Sequence, residues 1–432
     1  MVSGVAGPCG GAPRSVLRKS QSQNAWVKLN DSLKKNKKAN PAMLYTPSFL
    51  LMSFANFFTV SSFGTFFLFP LFIKDHGGSE ADIGLVMGAF ALSSVLCRPW
   101  ISVLIDRIGR KRSYTIGCLI LSILPLTYLL FQGDLSKFYL PLLFVRVIHG
   151  VGLAFCFTSS FTYIADIVPK ERLNEGIGMF GVTGLSGLAI GPLTAELIIR
   201  GFGFSALFLT ATGLGVLGLL LHLPLKESFV QGSKESSPSF FSVLKTRKTL
   251  TVALLAILFG FGLSAAGGFV SPFAKEREVA FISLYFICYS SAAVITRLLG
   301  GRLADRVGEE RIIPYALLLT GAGLLMLIFL GGYWVLGLSG FMSGCGHGFL
   351  FPCLNTLAIR NEPIEIRGKI NGVFTGGIDA GAFVGSVVLG YIGEWAGFPT
   401  LFFAAGLAFL LGLGIYKIRI KGDKTLNASL LF

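Results

Sequence analysis

The sequence predicts an all-α integral membrane protein, with about twelve transmembrane helices arranged as two pseudo-symmetric six-helix bundles. Three observations lead there. Of the 432 residues, 53% are apolar and only 14% charged, against about 25% charged in an ordinary soluble domain, which excludes a soluble enzyme of usual make-up. The apolar residues fall in runs of about 20 separated by short polar stretches, the length a helix needs to cross a hydrocarbon core. A charged motif, Arg-x7-Asp-Arg-x-Gly, occurs twice, the mark of an internal repeat. The 55 glycines fit the same class, because small residues let helices approach closely in lipid.

Residues 1–43, basic and rich in Ser, Asn and Lys, read as a disordered cytoplasmic tail, with a transit peptide as the alternative. The N-terminal bundle, 44–225, takes six apolar runs. The first, near 46–73, is crowded with Phe. The second, near 81–104, runs into the first copy of the charged motif, and a third follows near 113–131. The fourth, near 138–165, carries Arg146 and His149; the fifth, near 174–199, is glycine-rich; the sixth, near 204–224, ends at the longest internal polar stretch, 226–249. That stretch reads as a cytoplasmic linker. The C-terminal bundle, 250–418, repeats the plan with runs near 250–273, 280–303, 312–331, 333–359, 369–392 and 398–416, and 419–432 is a cytoplasmic tail.

With the N-terminus inside, 29 of the 37 Lys and Arg fall in inside segments and five outside: Lys74, Lys137, Arg200, Lys275 and Arg277. The positive-inside rule then puts both termini in the cytoplasm of a cell (inner or plasma) membrane, and it accounts for the +15 net charge without a nucleic-acid partner. The other three, Arg98, Arg146 and Arg297, lie within spans. Seven cysteines form no CxxC pair, so neither a disulfide framework nor a metal site is expected. No phosphate-binding glycine loop or nucleophile elbow occurs, which leaves no support for ATP, another cofactor or catalysis.

The repeat is specific. Arg98 precedes Asp106-Arg107-Ile108-Gly109-Arg110, and Arg297 precedes Asp305-Arg306-Val307-Gly308-Glu309 at the same spacing. At a shift of 194, Gly150, Gly152, Gly187 and Gly191 match Gly344, Gly346, Gly381 and Gly385. Two parallel repeats imply a central cavity and rocking around it. The chain resembles the major facilitator superfamily on these residues: Ser102-VLI-Asp106-Arg107-Ile-Gly109-Arg110-Lys111 is similar to its loop motif, with Ser102 for the usual Gly that the second copy keeps as Gly301, and Arg146-VIHGVGLA is similar to its fourth-helix stretch. Gly187-LAI-Gly191-Pro192 resembles the signature of the proton-linked drug and metabolite antiporter branch, the arabinose-efflux-permease-like proteins. The resemblance implies that Asp106, meeting the positive end of the eleventh helix near Gly368, closes the cytoplasmic side, with Asp305 acting likewise near Asn174. Arg107 and Arg110 are placed to pair with Asp166.

Ionisable residues inside spans are candidate substrate or proton sites by default. Arg146 lies too deep to snorkel easily, and His149 shares its face. Asp379 is the mid-span carboxylate, a candidate proton carrier. Each also has a packing interpretation. His347 and Asn56 enter as cavity residues by the resemblance alone, and Glu196 is expected near water at the outer end of its span. The function this supports is secondary active transport of a small organic solute by a lipid-embedded monomer, as proton-coupled efflux; an uptake symporter and a non-transporting sensor or scaffold are the alternatives.

Overall fold

The computed structural model describes residue 4 and residues 43–228, 246–360, 362 and 364–418; the surroundings of side chains at 171, 174, 300–302, 304, 305, 364, 365 and 367–369 lie outside that description. Two compact units divide the chain, 1–45 and 46–432, and every helix described here belongs to the second. The expected tails, most of the linker, and the contacts expected at Gly301, Asp305, Asn174 and Gly368 lie outside the described residues.

The helices are α1 (Pro47–Thr65), α2 (Phe69–Asp75), α3 (Glu80–Ile108), α4 (Arg110–Thr127), α5 (Tyr139–Ile167), α6 (Leu173–His222), α7 (Arg247–Glu276), α8 (Leu284–Val307), α9 (Glu309–Met326), α10 (Tyr333–Ile359) and α11 (Ile364–Tyr416). Local chemistry sets several boundaries. Ser79 and Asp82 form a reciprocal capping box that starts α3, the Ser79 N–H donating to the Asp82 carboxylate at 2.9 Å. Gly109 and Gly308 adopt φ of +99° and +86°, a backbone that disfavours side-chain-bearing residues, and thereby turn the chain sharply from α3 into α4 and from α8 into α9.

This is an all-α, multi-pass membrane fold. Among the described residues eight helical stretches are long and apolar enough to cross a bilayer, where the sequence predicts about twelve. The difference arises at four places. Glu175–His222 and Ile370–Tyr416 are stretches of 48 and 47 residues, each of two helices that abut at a kink with non-helical backbone angles at Gly203 and Gly397. In α8 the described apolar stretch, Leu284–Leu299, is shorter than a span, and α10 is diluted by Gly, Ser and His.

α1 packs on α6, α3 and α4 on α5, and α4 on α6; likewise α7 packs on α11, α8 and α9 on α10, and α9 on α11. α3 against α11 and α6 against α8 join the two groups. The matched glycines sit at matched crossings. A Cβ on Gly150 would strike the Phe90 carbonyl and one on Gly344 the Tyr289 carbonyl; Gly187 and Gly381 lie likewise against the carbonyls of Phe57 and Ile257. Glycine is thus required there by close backbone approach. Gly150→Ala is expected to lower the thermal stability of the purified protein by the ~1–3 kcal/mol typical of overpacking, whereas Gly178→Ala, with nothing within 4 Å of the new Cβ, should not. Equal melting temperatures for the two variants would contradict the packing account.

Candidate functional site

The membrane interior holds three arginines with three different solutions to the cost of a buried charge. Arg98 of α3 pairs with Asp379 of α11, and the Ser94 hydroxyl lies 3.4 Å from the same carboxylate oxygen. Arg98 stands roughly 15 Å from the C-terminal end of α3 at about 1.5 Å per residue, so the pair is deep, and it bridges the two helix groups. Sequence reasoning had put these two residues in different roles, one in the charged motif and one as a proton carrier; the fold brings them together.

Arg146 is wholly buried. Its guanidinium lies 4.7, 5.2 and 5.6 Å from the ring centres of Phe90, Phe69 and Phe66, and Nε approaches the Val86 carbonyl at 3.5 Å. Aromatic faces carry the compensation here, since a cation over a ring is attracted by its quadrupole. His149, also fully buried, meets the Tyr128 hydroxyl at 3.2 Å through Nδ1 and stands edge-on to Phe66. Its Nε2 has no hydrogen-bond partner among the described residues.

Arg297 of α8 is half-buried, with its guanidinium 5.2 Å from the Phe351 ring centre. His347 of α10 hydrogen-bonds the Tyr289 hydroxyl and stands edge-on to Phe259. Asn56 of α1 donates to the Thr183 hydroxyl at 2.9 Å. Arg98, Asp379 and Arg297 thus lie on the helices where the two groups meet, while Asn56 and His347 sit on α1 and α10 within their own groups and Arg146 and His149 are packed inside the first.

At the motif end of the bundle, Asp106 is exposed and pairs with Arg110 at 3.1 Å, and Arg110 Nε reaches Asp166 at 3.0 Å. The anion at the N-terminus of α4 is Glu227, which accepts from the N–H groups of Arg110 (2.7 Å) and Lys111 (3.2 Å). Arg107, Ser102 and Arg306 are exposed. The second copy swaps signs: the buried Glu309, at the place of Arg110, pairs with Arg360 at 2.8 Å. The loss of basic residues at Glu309-Glu310 is therefore an inversion of the same ion pair. Gly187 and Gly191 pack against α1, Gly191 beside Ser61 and Gly64, with Pro192 following in α6.

Sequence reasoning missed the opposite end. Glu196 is buried rather than near water; it accepts from the Ile282 and Ser283 N–H groups at 2.9 and 2.7 Å, just before α8, and pairs with Arg200. Glu394 of α11 accepts from the Ala81 N–H at 3.1 Å and the Ser79 hydroxyl at 2.8 Å, at the start of α3. At the 194-residue shift Glu196 corresponds to Gly390 and Glu394 to Arg200, so the two glutamates lie one helical turn out of register and the self-comparison gave no sign of them. Among the described residues no cluster of His, Cys, Asp or Glu could hold a metal ion.

The family model described as Major Facilitator Superfamily matches residues 49–279 and 252–429. Quinolone resistance protein NorA of Staphylococcus aureus is 25% identical over 376 residues, covering 81% of this chain and 90% of that protein. Multidrug resistance protein MdtG of Salmonella choleraesuis is 26% identical over 359 residues, covering 81% and 87%. Among solved structures, the nucleoside transporter NupG superposes with a TM-score of 0.71 at 14% identity, covering 86% of this chain and all of that one, and a POT family transporter with 0.70 at 15%, covering 87% and 96%. These two likenesses are of fold.

Proposed function

The chain belongs to the Major Facilitator Superfamily, and on that premise we propose that it exports a small organic solute by proton-coupled alternating access. As a member of this family it is a membrane transporter of small molecules and not an enzyme. The finer statement rests chiefly on one observation, the Arg98–Asp379 ion pair deep in the membrane at the meeting of α3 and α11. A charge pair in that position is costly to desolvate, which makes a functional role its default reading, and the carboxylate can exchange the guanidinium for a proton as the helices part. The resistance proteins named above lend the direction, since each spans most of this chain.

We read the 48- and 47-residue helices as two spans each, divided at Gly203 and Gly397, which with α8 and α10 makes twelve spans in two six-helix bundles. The matched glycine crossings support the repeat. By the positive-inside rule the Asp106 end is cytoplasmic, as are both termini. The Glu196 and Glu394 contacts then hold the outer side closed.

Purified protein in liposomes with an imposed pH gradient tests this. Proton-driven movement of a solute opposite to the protons is the expected result; movement with them would make the protein a symporter, and no flux of any member of a broad panel, with or without the gradient, would refute transport.

A further inference from the structure

We propose that the solute is an organic anion, and that Arg297 binds its carboxylate; this rests on the transport reading above. The repeat puts Arg98 and Arg297 at equivalent positions, each on a helix that meets the other group, α3 on α11 and α8 on α6. Among the described residues, only Arg98 of the two pairs with an acid across that boundary. The α6 residue equivalent to Asp379 at the 194-residue shift is Leu185, which is buried and apolar. Arg297 makes no ion pair or hydrogen bond among the described residues, and its Nε is buried without a partner.

Room for the guanidinium is built in. A Cβ on Gly181 would stand 2.8 Å from Arg297 Nη1, so glycine lets the fork lie against α6. Phe351 backs the guanidinium from α10, and His347, itself hydrogen-bonded to the Tyr289 hydroxyl, stands 6.2 Å from Phe351 between ring centres. On the far side of the same α6 segment, Asn56 is tied to Thr183.

Charge accounting gives the ligand its sign. With Asp379 taken by Arg98, the interior carries Arg146 and Arg297 with no acid paired to either among the described residues. Both keep a buried donor without a partner, but Arg146 is wholly enclosed, with three rings around it, whereas Arg297 keeps partial exposure through which a ligand can reach it. A half-buried guanidinium at membrane depth is stabilised by a counter-charge, and its planar fork matches a carboxylate through two parallel hydrogen bonds. Phe351 and Tyr289 favour an apolar or aromatic body next to that carboxylate.

The test is counterflow in liposomes with three probes of one shape, benzoate, benzamide and benzylammonium, within a wider panel of anionic, neutral and cationic solutes. Anionic members are expected to exchange. Arg297→Gln should raise the half-saturation concentration for benzoate about tenfold or more without loss of folded protein, and Arg297→Lys should do so less. Leu185→Asp supplies an internal counter-charge and should likewise suppress benzoate exchange. Exchange of neutral or cationic members alone, or benzoate exchange unaltered in Arg297→Gln, would overturn the anion assignment and leave the transport reading standing; absence of exchange for every solute would remove both.

Discussion

Asp379→Asn is expected to abolish gradient-driven transport, and Arg98→Gln to do the same, because each leaves the other partner as an uncompensated charge deep in the membrane. Removing one member of a fully buried pair typically costs about 3–5 kcal/mol; side-chain exposures of 16% and 23% reduce this to roughly 2–3 kcal/mol on the same scale, since partial solvation screens the charge left behind. Both single variants should therefore also melt lower. The combined variant Arg98→Gln with Asp379→Asn removes both charges and should regain most of the stability, because two amides that can hydrogen-bond each other carry a much smaller desolvation penalty than ions. Transport separates the roles. If the pair acts only as a clamp between α3 and α11, the double variant moves solute; if the carboxylate exchanges a proton each cycle, the double variant is folded and inert to a pH gradient. Double-variant stability no better than the worse single variant would show that the two side chains do not act as a pair.

What could be read in the sequence is what local pattern encodes. Apolar run length gave the membrane class, the Arg-x7-Asp-Arg-x-Gly spacing gave the repeat, and glycines matched at a fixed shift proved to lie at matched helix crossings, because a close approach excludes a Cβ whatever the surroundings. Arg146 and Arg297 were visible as costly charges within apolar runs. Their partners were not. Arg98 and Asp379 are 281 residues apart in sequence, and no spacing rule says which arginine a mid-membrane acid will meet; that depends on which faces of α3 and α11 are turned together. The span count departed for another reason. Gly203 and Gly397 take positive φ and non-helical backbone angles, so two helices abut there with no intervening loop and run together as one long stretch. Glu196 was misjudged because distance from the helix end was taken as access to water, whereas the start of α8 covers it.

Glu196 and Glu394 should control how readily the outer end opens. Each is a carboxylate on one helix group that accepts hydrogen bonds at the start of a helix in the other: Glu196 from Ile282 and Ser283 before α8, Glu394 from Ser79 and Ala81 at α3. Hydrogen bonds to a charged acceptor are worth about 1.5–3 kcal/mol each, and an anion at a helix N-terminus adds about 0.3–2 kcal/mol. Alternating access requires both contacts to break together when that end opens. Glu196→Gln keeps the size but removes the charge and turns one acceptor into a donor facing N–H groups, so the open form should rise by about one order of magnitude, the equivalent of ~1.4 kcal/mol. Glu394→Gln should act in the same direction with smaller effect, because Glu394 is exposed and water screens it. The two sites occupy separate crossings, so their free energies should add in the double variant. Spin labels at positions 132 and 333, one in each group at this end, report the population through their distance distribution. A shift to longer distances, larger in the double variant than in either single one, is the expected result. Unchanged distributions in all three variants would mean that these carboxylates merely fasten helix ends and that the outer closure is held by apolar packing, such as Phe67 against Phe286 at 5.1 Å.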